Sequence, residues 1–412
     1  MKKKVLNWIK QFSTFCFLDN HQYQLEPHSE ECLAGAGVYR KISAGAGHAL
    51  QQMEKFVEEY PSWLFGHIAY DIKNETESLF SNNPDQIGFP DLFFFEPEIL
   101  IRLSPDKMEI TAEDPTIVYK EIVQQEKLQL QAGHPAIIQQ RFSKEEYIET
   151  IEKLQQHIAR GDCYEINFCQ EFFAENAAID PLTTYMKLSG LSPNPFSALY
   201  RTGDQWLVCA SPERFLKRTG DHILSQPIKG TSKRINGDEL ADRQTMEQLR
   251  QSPKDRSENV MVVDLVRNDL SKVCREGTVK TDELFGIYSF PQVHQMISTV
   301  SGELKKDIGI SAILKAAFPM GSMTGAPKKR VMELIELYEN TRRGIFSGTV
   351  GYITPEGDFD FNVVIRSIMY NSSSKYLSFQ AGSGITFYSE AEKEWEECLL
   401  KAEAIKNVLE SN

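Results

Sequence analysis

The spacing of apolar residues predicts several helices along the chain. Apolar residues from Ile148 to Ile158 recur at helical spacing, Ser143 and Glu146 before them form a capping-box pattern, and Gly161 ends the segment. An apolar stripe of the same period occurs near the end of the chain, formed by Trp395, Cys398, Ala402, Ile405 and Leu409. Further helices are predicted over residues 239–251, after Ser252 and Pro253, and from Ser389 onwards.

Runs of apolar, aromatic and β-branched residues predict strands between these helices. The predicted strands cover residues 91–96, 164–172, 197–202, 206–210, 344–353, 359–370 and 376–381. Turn signals separate the last three strands, a pattern that indicates an antiparallel meander. Strands and helices do not alternate regularly, which argues against a dinucleotide-binding fold.

Composition and charge narrow the class of protein. The 412 residues are 41% hydrophobic and 25% charged, the balance of an ordinary globular protein. A net charge of −13 leaves no basic excess for binding nucleic acid or an anionic membrane surface. No apolar run reaches the length of a membrane span, and Lys10 interrupts the stretch that follows the first lysines. The seven scattered cysteines include no C-x-x-C pair, so we expect a cytoplasmic protein with cysteines in its core.

Five short segments carry polar residues inside apolar surroundings. Their sequences are ASPERF at 210–215, QPIKGTSKR at 226–234, DLVRNDL at 264–270, GSMTGAPK at 321–328 and AGSGIT at 381–386. In this order, over residues 143–408, they resemble the chorismate-utilising enzymes, a family that includes anthranilate, aminodeoxychorismate, isochorismate and salicylate synthases. The resemblance implies an α+β fold of large antiparallel sheets, packed as a sandwich and flanked by helices.

The same resemblance, together with a polar segment from about 104 to 142, predicts two regions. Residues 1–140 resemble, more faintly, the N-terminal region of component I of anthranilate and aminodeoxychorismate synthases. Residues 141–412 resemble the catalytic domain that binds chorismate. We therefore expect the chemistry to lie mainly in the second region.

Lys229 and Glu213 are the candidate catalytic residues. A lysine at a strand end most often extends to the surface, and a glutamate beside Arg214 most often forms a surface ion pair. The Pro-Ile-Lys-Gly-Thr context of Lys229 resembles aminodeoxychorismate synthases, whereas anthranilate synthases carry alanine there. The resemblance implies that Lys229, a desolvated amine with a lowered pKa, attacks C2 of chorismate. Glu213, with a raised pKa, then protonates the departing C4 hydroxyl.

Two acidic pairs have a spacing that places each pair on one face of a helix. They are Asp255 with Glu258, and Glu394 with Glu397. Such a pair is usually a solvated face that the helix dipole favours. Two pairs that meet across a cleft suit Mg²⁺ instead. The resemblance implies this metal, bound to the ring carboxylate of chorismate, with Glu258 and Glu397 as its main ligands.

Several residues are candidates for holding the anionic groups of chorismate. Thr324 and Gly325 precede Pro327 and an amphipathic helix, so free backbone N–H groups are expected at its N-terminus. Arg366 lies on the strand face opposite Val363, where a guanidinium can grip a carboxylate with two hydrogen bonds. A Gly-Ser-Gly run alone is most often a plain turn. The resemblance implies that the enolpyruvyl carboxylate is held by Tyr352, Arg366 and a loop of Gly382, Ser383 and Gly384.

Two positions distinguish branches of the family. Glu165 stands where isochorismate synthases use a lysine to activate water, so that base is missing. Gln295 aligns with a histidine that anthranilate synthases link to pyruvate loss, although a shift by one residue brings His294 to that position. Because a glutamine side chain does not shuttle protons at neutral pH, the pattern favours an enzyme that stops before pyruvate leaves.

The resemblance therefore implies amination of chorismate at C4. No Gly-x-Cys-x-Gly nucleophile elbow of a glutaminase occurs in the chain, so ammonia must come from solution or from a separate glutamine amidotransferase subunit. Component I of anthranilate synthase is the nearest alternative, since it acts on the same substrate. A non-catalytic chorismate-binding protein on the same fold is an alternative of another class.

Overall fold

Two large antiparallel sheets form the centre of the computed structural model, which describes residues 1–23, 31–126 and 135–410. The first sheet runs in the spatial order β17 (Gly325–Ala326), β9 (Glu165–Ala174), β21 (Tyr376–Ile385), β20 (Ser367–Asn371), β11 (Gln205–Ser211), β10 (Phe196–Thr202), β1 (Thr14–Asp19), β2 (Cys32–Ala36), β6 (Ile99–Leu103) and β7 (Met108–Thr111), and β8 (Gln139–Gln140) also pairs with β9. The second sheet runs in the order β14 (Ile228–Lys233), β16 (Val293–Glu303), β13 (His222–Gln226), β12 (Arg214–Thr219), β19 (Phe359–Asn362), β18 (Thr349–Ile353), β4 (Leu64–Ile68), β5 (Leu92–Glu96) and β3 (Arg40–Ala44), and β15 (Lys280–Ser289) pairs with β16.

Helices flank these sheets. They are α1 (Lys2–Ile9), α2 (Ala49–Glu59), α3 (Lys73–Thr76), α4 (Pro115–Gln124), α5 (Lys144–Ala159), α6 (Pro181–Leu191), α7 (Glu239–Gln251), α8 (Pro253–Val273), α9 (Ile310–Ala317), α10 (Lys328–Tyr338) and α11 (Ala391–Glu410), with 3₁₀ turns at Tyr70–Ile72 and Gly321–Met323. In the described part of the chain, no helix is both long enough and apolar enough to cross a membrane.

Apolar side chains bury both faces of the first sheet. On one face, Cys16 and Tyr200 pack in a single core with Phe65 and Phe94 of the second sheet. Gly35 permits the close approach there, because a Cβ at this position would lie 2.7 Å from the Phe65 ring. The other face packs against α1, α5, α6, α10 and α11 in a second core. Removal of this apolar surface from water is the main force that holds the layers together, and the predicted sandwich flanked by helices is confirmed.

Both sheets combine strands from the two predicted regions of the chain. In the first sheet, β1 lies between β2 and β10, with Thr14 opposite Thr202. In the second sheet, β4 pairs with β18, with Thr349 opposite Ile68. The division into residues 1–140 and 141–412 stays a prediction, and the two regions share one pair of sheets.

Local sequence signals account for most element boundaries. Ser143 and Glu146 form the predicted capping box of α5, and Gly161 follows that helix with a φ of 84°. Ser252 caps α8 through the backbone N–H of Asp255, and Pro253 occupies its first turn. The seven cysteines are all buried thiols, as the sequence predicts.

The predicted meander at 344–381 is wrong in its connections. Residues 344–348 form a turn, so β18 begins only at Thr349. The predicted strand at 359–370 divides into β19 and β20, which belong to different sheets. Arg366 lies at the break with a φ of 53°, a backbone conformation outside the β region, and therefore not on a strand face.

A buried ion pair joins β9, the turn at Gly321–Met323 and the residues after α10. The Arg343 guanidinium donates to Glu339 Oε1 at 2.6 Å and Oε2 at 2.9 Å. Arg343 also donates to the carbonyls of Met323 at 2.6 Å and Asn167 at 2.8 Å. Glu339 accepts in addition from the Cys169 backbone N–H. Each charged group is thus satisfied inside the protein, as buried charges require.

Arg343→Met should destabilise the chain strongly, since it leaves Glu339 as an unpaired buried charge. We expect the free energy of unfolding to fall by about 3–5 kcal/mol, measured by urea denaturation. Arg330→Met is the matched control, because Arg330 forms an exposed ion pair with Glu333 on α10. Such a pair contributes at most about 1 kcal/mol. Equal unfolding midpoints for the two variants would contradict the structural role of Arg343.

Candidate active site

A lysine and a glutamate meet inside the protein where the two sheets approach each other. Lys229 on β14 places its Nζ 2.5 Å from Oε1 of Glu165 on β9. The two residues are only 9% and 2% exposed. Gly384 on β21 leaves space for both, because a Cβ there would lie 2.4 Å from Glu165 Oε1 and 2.8 Å from Lys229 Nζ. The buried strand positions therefore bring together residues far apart in sequence.

The Lys229 amine carries a proton in this environment. Burial alone lowers its pKa, but the carboxylates of Glu165, Glu258 and Glu213 outweigh burial and hold the pKa above its ordinary value. The sequence prediction of a lowered pKa is therefore wrong for the resting site. A sequence does not show how many carboxylates will surround one lysine.

Glu213 is a buried carboxylic acid between β11 and β12. Burial raises its pKa to about 7, although the Ser322 hydroxyl and the Lys229 charge partly oppose this rise. Glu213 is 4% exposed, and the neighbouring Arg214 pairs with Asp360 at 2.9 Å instead. The alternative of a surface ion pair between Glu213 and Arg214 is excluded. A carboxyl with this pKa is partly protonated near neutral pH and is suited to donate a proton.

Glu258, on the first turns of α8, lies close to this cluster. Burial raises its pKa to about 7; the charge of Lys229 opposes the rise and that of Glu165 adds to it. Its Oε1 atom is buried and accepts no hydrogen bond from the residues that the structure describes. The nearest cation is the Lys254 ammonium, 4.0 Å away. Asp255, one turn earlier, packs against Gly230, where a Cβ would come within 3.0 Å of it.

The second acidic pair lies on α11 and faces the first through a lysine. Glu394 is fully buried, accepts a hydrogen bond from the Ser383 hydroxyl and lies 3.5 Å from Lys254 Nζ. Glu397 forms an ion pair with Lys401 at 2.7 Å. Burial tends to raise the pKa of Glu397, but Lys401 and Lys254 hold it below its ordinary value.

The carboxylates of the two pairs are near one another but do not form a closed metal site. Among residues 1–23, 31–126 and 135–410, no three acidic, histidine or cysteine side chains are arranged to hold a metal ion. The donor set nevertheless fits a hard cation, since Glu258 Oε1 accepts no hydrogen bond within the described ranges and Lys254 already places a positive charge among Glu258, Glu394 and Glu397.

The backbone segments predicted to bind anions are built into the first sheet. The Thr324 N–H donates to the Gly321 carbonyl, and the Thr324 hydroxyl donates to Met320 O at 3.1 Å. Gly325 pairs with Ile166 of β9. The prediction of free N–H groups is therefore wrong for Thr324, because the turn before it uses that donor.

The Gly-Ser-Gly run is not a loop. Gly382, Ser383 and Gly384 lie within β21 and pair with β9. A Cβ on Gly382 would lie 1.8 Å from the Phe168 carbonyl, so glycine is needed for the two strands to pair. Ser383 turns its hydroxyl to Glu394. These residues shape the wall of the site through close strand pairing.

Arg366 and Tyr352 occupy different surroundings. The partly buried Arg366 guanidinium has no ion-pair partner within the described ranges, and burial lowers its pKa while Glu397 partly restores it. The Arg366 guanidinium is therefore available to bind an anionic ligand. Tyr352 packs beside Trp63 and Phe65 and lines another cavity. The structure therefore does not bring Tyr352 together with Lys229.

On β16, His294 and Gln295 have different surroundings. His294 lies 2.8 Å from the Ser289 hydroxyl and 3.1 Å from Asp242 Oδ1, so both ring nitrogens are engaged. Gln295 is buried opposite Thr231 of β14, and its side-chain oxygen has no hydrogen-bond partner in the described chain. Of the two residues, Gln295 is the one with an unused polar atom.

Two residues of the site, Glu165 and Lys254, are not among those predicted from the sequence. In the sequence, Glu165 marks only the absence of a lysine, although a buried acid inside the apolar run of β9 is a signal for a charged partner. Lys254 carries no motif that singles it out. Its position before Asp255 at the start of α8 gives no sign that its ammonium reaches Glu394, 140 residues later.

The two antiparallel sheets and the buried lysine among carboxylates are the features to compare with known enzymes. The chain belongs to the family of chorismate binding enzymes, whose family model matches residues 14–407. The chain is 40% identical over 273 residues to aminodeoxychorismate synthase component 1 of Salmonella typhimurium. That match covers 66% of this chain and spans 59% of the Salmonella protein's length.

Other relatives cover more of the chain. Anthranilate synthase component 1 of Thermus thermophilus is 32% identical over 360 residues, which are 84% of this chain and 77% of that protein. The crystal structure of anthranilate synthase component I from Streptococcus pneumoniae TIGR4 has a TM-score of 0.80 at 23% identity and covers 94% of each chain. This likeness shows a shared fold. The family predicted from the motifs is confirmed.

Glu213→Gln should stabilise the protein in a pH-dependent way. The pKa of Glu213 is about 7 in the folded chain against an ordinary value of 4.5, so the folded state binds more protons between these values and loses stability as pH rises. Above pH 7, the buried Glu213 is ionised, and this lowers the free energy of unfolding by about 3 kcal/mol. We expect calorimetry to show equal melting temperatures for the variant and wild type near pH 4.5. At pH 8 the melting temperature of the variant should be higher.

The exposed Glu175→Gln is the control for this prediction, since its side chain lies in solvent. Its melting temperature should follow wild type at both pH values. A difference between Glu213→Gln and wild type that is the same at both pH values would contradict the raised pKa.

Proposed function

We propose that this chain is component I of an aminodeoxychorismate synthase, a transferase that converts chorismate and ammonia to 4-amino-4-deoxychorismate. The observation that carries the proposal is the buried Lys229, held at 2.5 Å from one carboxylate and near the protonatable Glu213. The relative in Salmonella typhimurium that is 40% identical to this chain carries the same activity in its name.

Lys229 and Glu213 suit the two halves of the first step. The Lys229 amine attacks C2 of chorismate, the ring double bonds shift, and the C4–oxygen bond breaks. Glu213 donates its proton to the leaving oxygen, so that water departs rather than hydroxide. The covalent intermediate divides one difficult displacement into two easier ones.

Ammonia completes the reaction in the second step. Its nitrogen bonds to C4, the double bonds shift back, and the C2–nitrogen bond to Lys229 breaks. The Glu213 carboxylate takes a proton from the new ammonium group and returns to its acid form. The side-chain oxygen of Gln295 cannot act as a base for the elimination of pyruvate at neutral pH, which supports a reaction that ends at this product.

The acidic cluster suits Mg²⁺, with Glu258 and Glu397 as the main ligands and Asp255 and Glu394 behind them. An Mg²⁺ ion held by these residues would supply positive charge for the ring carboxylate of chorismate. Arg366 is available for the second carboxylate of the substrate. Lys254 must withdraw from Glu394 and Glu258 for the metal to enter.

A separate glutamine amidotransferase subunit is the proposed source of ammonia in the cytoplasm. In the described chain, no cysteine thiol hydrogen-bonds to a histidine, the pairing that would release ammonia from glutamine. Component I of anthranilate synthase remains the second candidate function, because the Thermus thermophilus relative of that name matches 84% of the chain. It predicts 2-aminobenzoate and pyruvate as products.

Lys229→Ala should abolish the proposed amination while preserving the fold. Wild-type chain, chorismate, Mg²⁺ and an ammonium salt at alkaline pH should give 4-amino-4-deoxychorismate, identified by mass and by the absence of 2-aminobenzoate fluorescence. The variant should be slower by several orders of magnitude, since it lacks the nucleophile. Chorismate binding should persist, because the change enlarges a pocket.

Lys233→Ala is the matched control, since this lysine lies on the same strand with its side chain exposed. It should retain the wild-type rate. Fluorescent 2-aminobenzoate from the wild-type chain would favour the anthranilate synthase alternative. A Lys229→Ala variant that forms 4-amino-4-deoxychorismate at the wild-type rate would exclude the covalent step. Turnover with glutamine by the chain alone would exclude the separate ammonia source.

Glu397→Gln should weaken Mg²⁺ binding, because it removes a charged oxygen ligand and keeps the side-chain volume. We expect a loss of affinity of about tenfold or more by isothermal titration calorimetry in the presence of chorismate. Glu258→Gln should behave in the same way. The exposed Glu396→Gln on the same helix should bind Mg²⁺ as wild type does. Unchanged affinity in both Glu258→Gln and Glu397→Gln would refute the metal assignment.

A further inference from the structure

The proposed reaction requires a neutral amine, and the resting Lys229 is an ammonium ion. An ammonium nitrogen has no electron pair with which to form a bond. Four carboxylates face or influence this ammonium from the elements around it: Glu165 on β9, Glu213 before β12, Glu258 on α8 and Glu397 on α11. One of them must accept the proton before attack.

We propose that Glu165 is the general base that removes this proton from Lys229, and is therefore a further catalytic residue of the proposed reaction. The inference rests on the proposed function, since it concerns the same nucleophile. Glu165 Oε1 lies 2.5 Å from Lys229 Nζ, a distance at which a proton passes directly between the two atoms. No water or other side chain is needed in between.

The other three carboxylates are committed elsewhere. Glu213 has to enter the step protonated, because it supplies the proton to the leaving oxygen. Glu258 lies beside Lys254, and Glu397 is paired with Lys401 at 2.7 Å. In the described chain, Glu165 is the carboxylate that contacts Lys229 Nζ within ion-pair distance.

The strands on both sides hold Glu165 in this position. β9 pairs with β21 from Leu377 opposite Ala174 to Ile385 opposite Ile166, and with β17 at Ala326, which lies directly opposite Glu165. Gly384 lies so close to Glu165 and Lys229 that any side chain at this position would displace one of them. The carboxylate is therefore aimed at the amine without rearrangement, as a general base should be.

The proton balance closes over the whole cycle. Glu165 takes a proton from the Lys229 ammonium, and the neutral nitrogen donates its electron pair to C2 as the C4–oxygen bond breaks. The adduct is a secondary ammonium, from which the lysine later departs as a neutral amine. Glu165 then returns its proton to Lys229, while Glu213 is restored by the proton from the incoming ammonia. Chorismate and ammonia give 4-amino-4-deoxychorismate and water.

Glu165→Gln tests this role, since an amide keeps the hydrogen bond and cannot accept the proton. The wild-type and variant chains are mixed with chorismate and Mg²⁺ without ammonia, from pH 6.5 to 9.5. Intact-mass spectrometry then follows the adduct on Lys229 with time. At pH 7 we expect the variant to be slower by about a hundredfold or more. Glu165→Ala should regain part of the rate when formate is added as a small base.

The pH profile separates catalysis from structure. Without Glu165, Lys229 must lose its proton to solvent, so the ratio of variant to wild-type rate should rise by up to about tenfold per pH unit until the amine is neutral. Loss of the Glu213 proton affects both chains equally and cancels in this ratio. Glu171→Gln is the matched control, because Glu171 is a buried, paired acid on the same strand, bound to Arg141.

The outcomes distinguish this inference from the proposed function. An adduct in wild type that also forms in Glu165→Gln at the same rate would overturn the role of Glu165 alone. A Glu165→Gln rate reduced by the same factor at every pH, with no formate rescue of Glu165→Ala, would also overturn it in favour of a positioning role. Wild-type chain that forms neither adduct nor 4-amino-4-deoxychorismate would overturn both proposals.

Discussion

The buried ion pair between Arg343 and Glu339 is the constraint on which the site depends. It holds the backbone of β9 through Asn167 and Cys169 and the turn at Met323 through its carbonyl. Glu165 lies two residues before Asn167, and Ser322 lies one residue before Met323. This charge pair therefore fixes the distance between β9, which carries Glu165, and the turn whose Ser322 hydroxyl contacts Glu213.

The site concentrates negative charge around single lysines. Lys229 stands among Glu165, Glu213 and Glu258, and Lys254 stands among carboxylates of both acidic helices. Each cation reduces repulsion that burial would otherwise make very costly. Under the proposed function, a substrate with two carboxylates needs positive charge from bound Mg²⁺ or from Arg366 to enter such a site.

Short sequence motifs identify the family and single out individual residues of the site, but they do not predict how these residues contact one another. Lys229 and Glu213 follow from short motifs, because the residue type and its immediate neighbours define the family, and capping residues such as Ser143 define helix ends locally. The contact of Lys229 with Glu165 joins residues 64 positions apart and depends on the pairing of several strands. The raised pKa of Lys229 follows from that packing and from no local signal.

The same reasoning explains the wrong connections. Alternation of apolar and polar residues over 359–370 fits one strand as well as two, and only the transfer between sheets at Arg366 separates them. Tyr352 was placed by resemblance, whereas its neighbours Trp63 and Phe65 come from the first region of the chain. Long-range strand order was the missing information in both cases.

The mixed strand order has a consequence for how the chain is made. β1 lies between β2 and β10, and Thr14 is opposite Thr202, which leaves the ribosome 188 residues later. At about 5–20 residues per second, the first strand waits roughly 10–40 seconds for that partner. During this time one edge of β1 and its apolar residues Phe15 and Phe17 lack their final cover. Translation rate and chaperone binding in this interval should therefore influence the yield of folded protein.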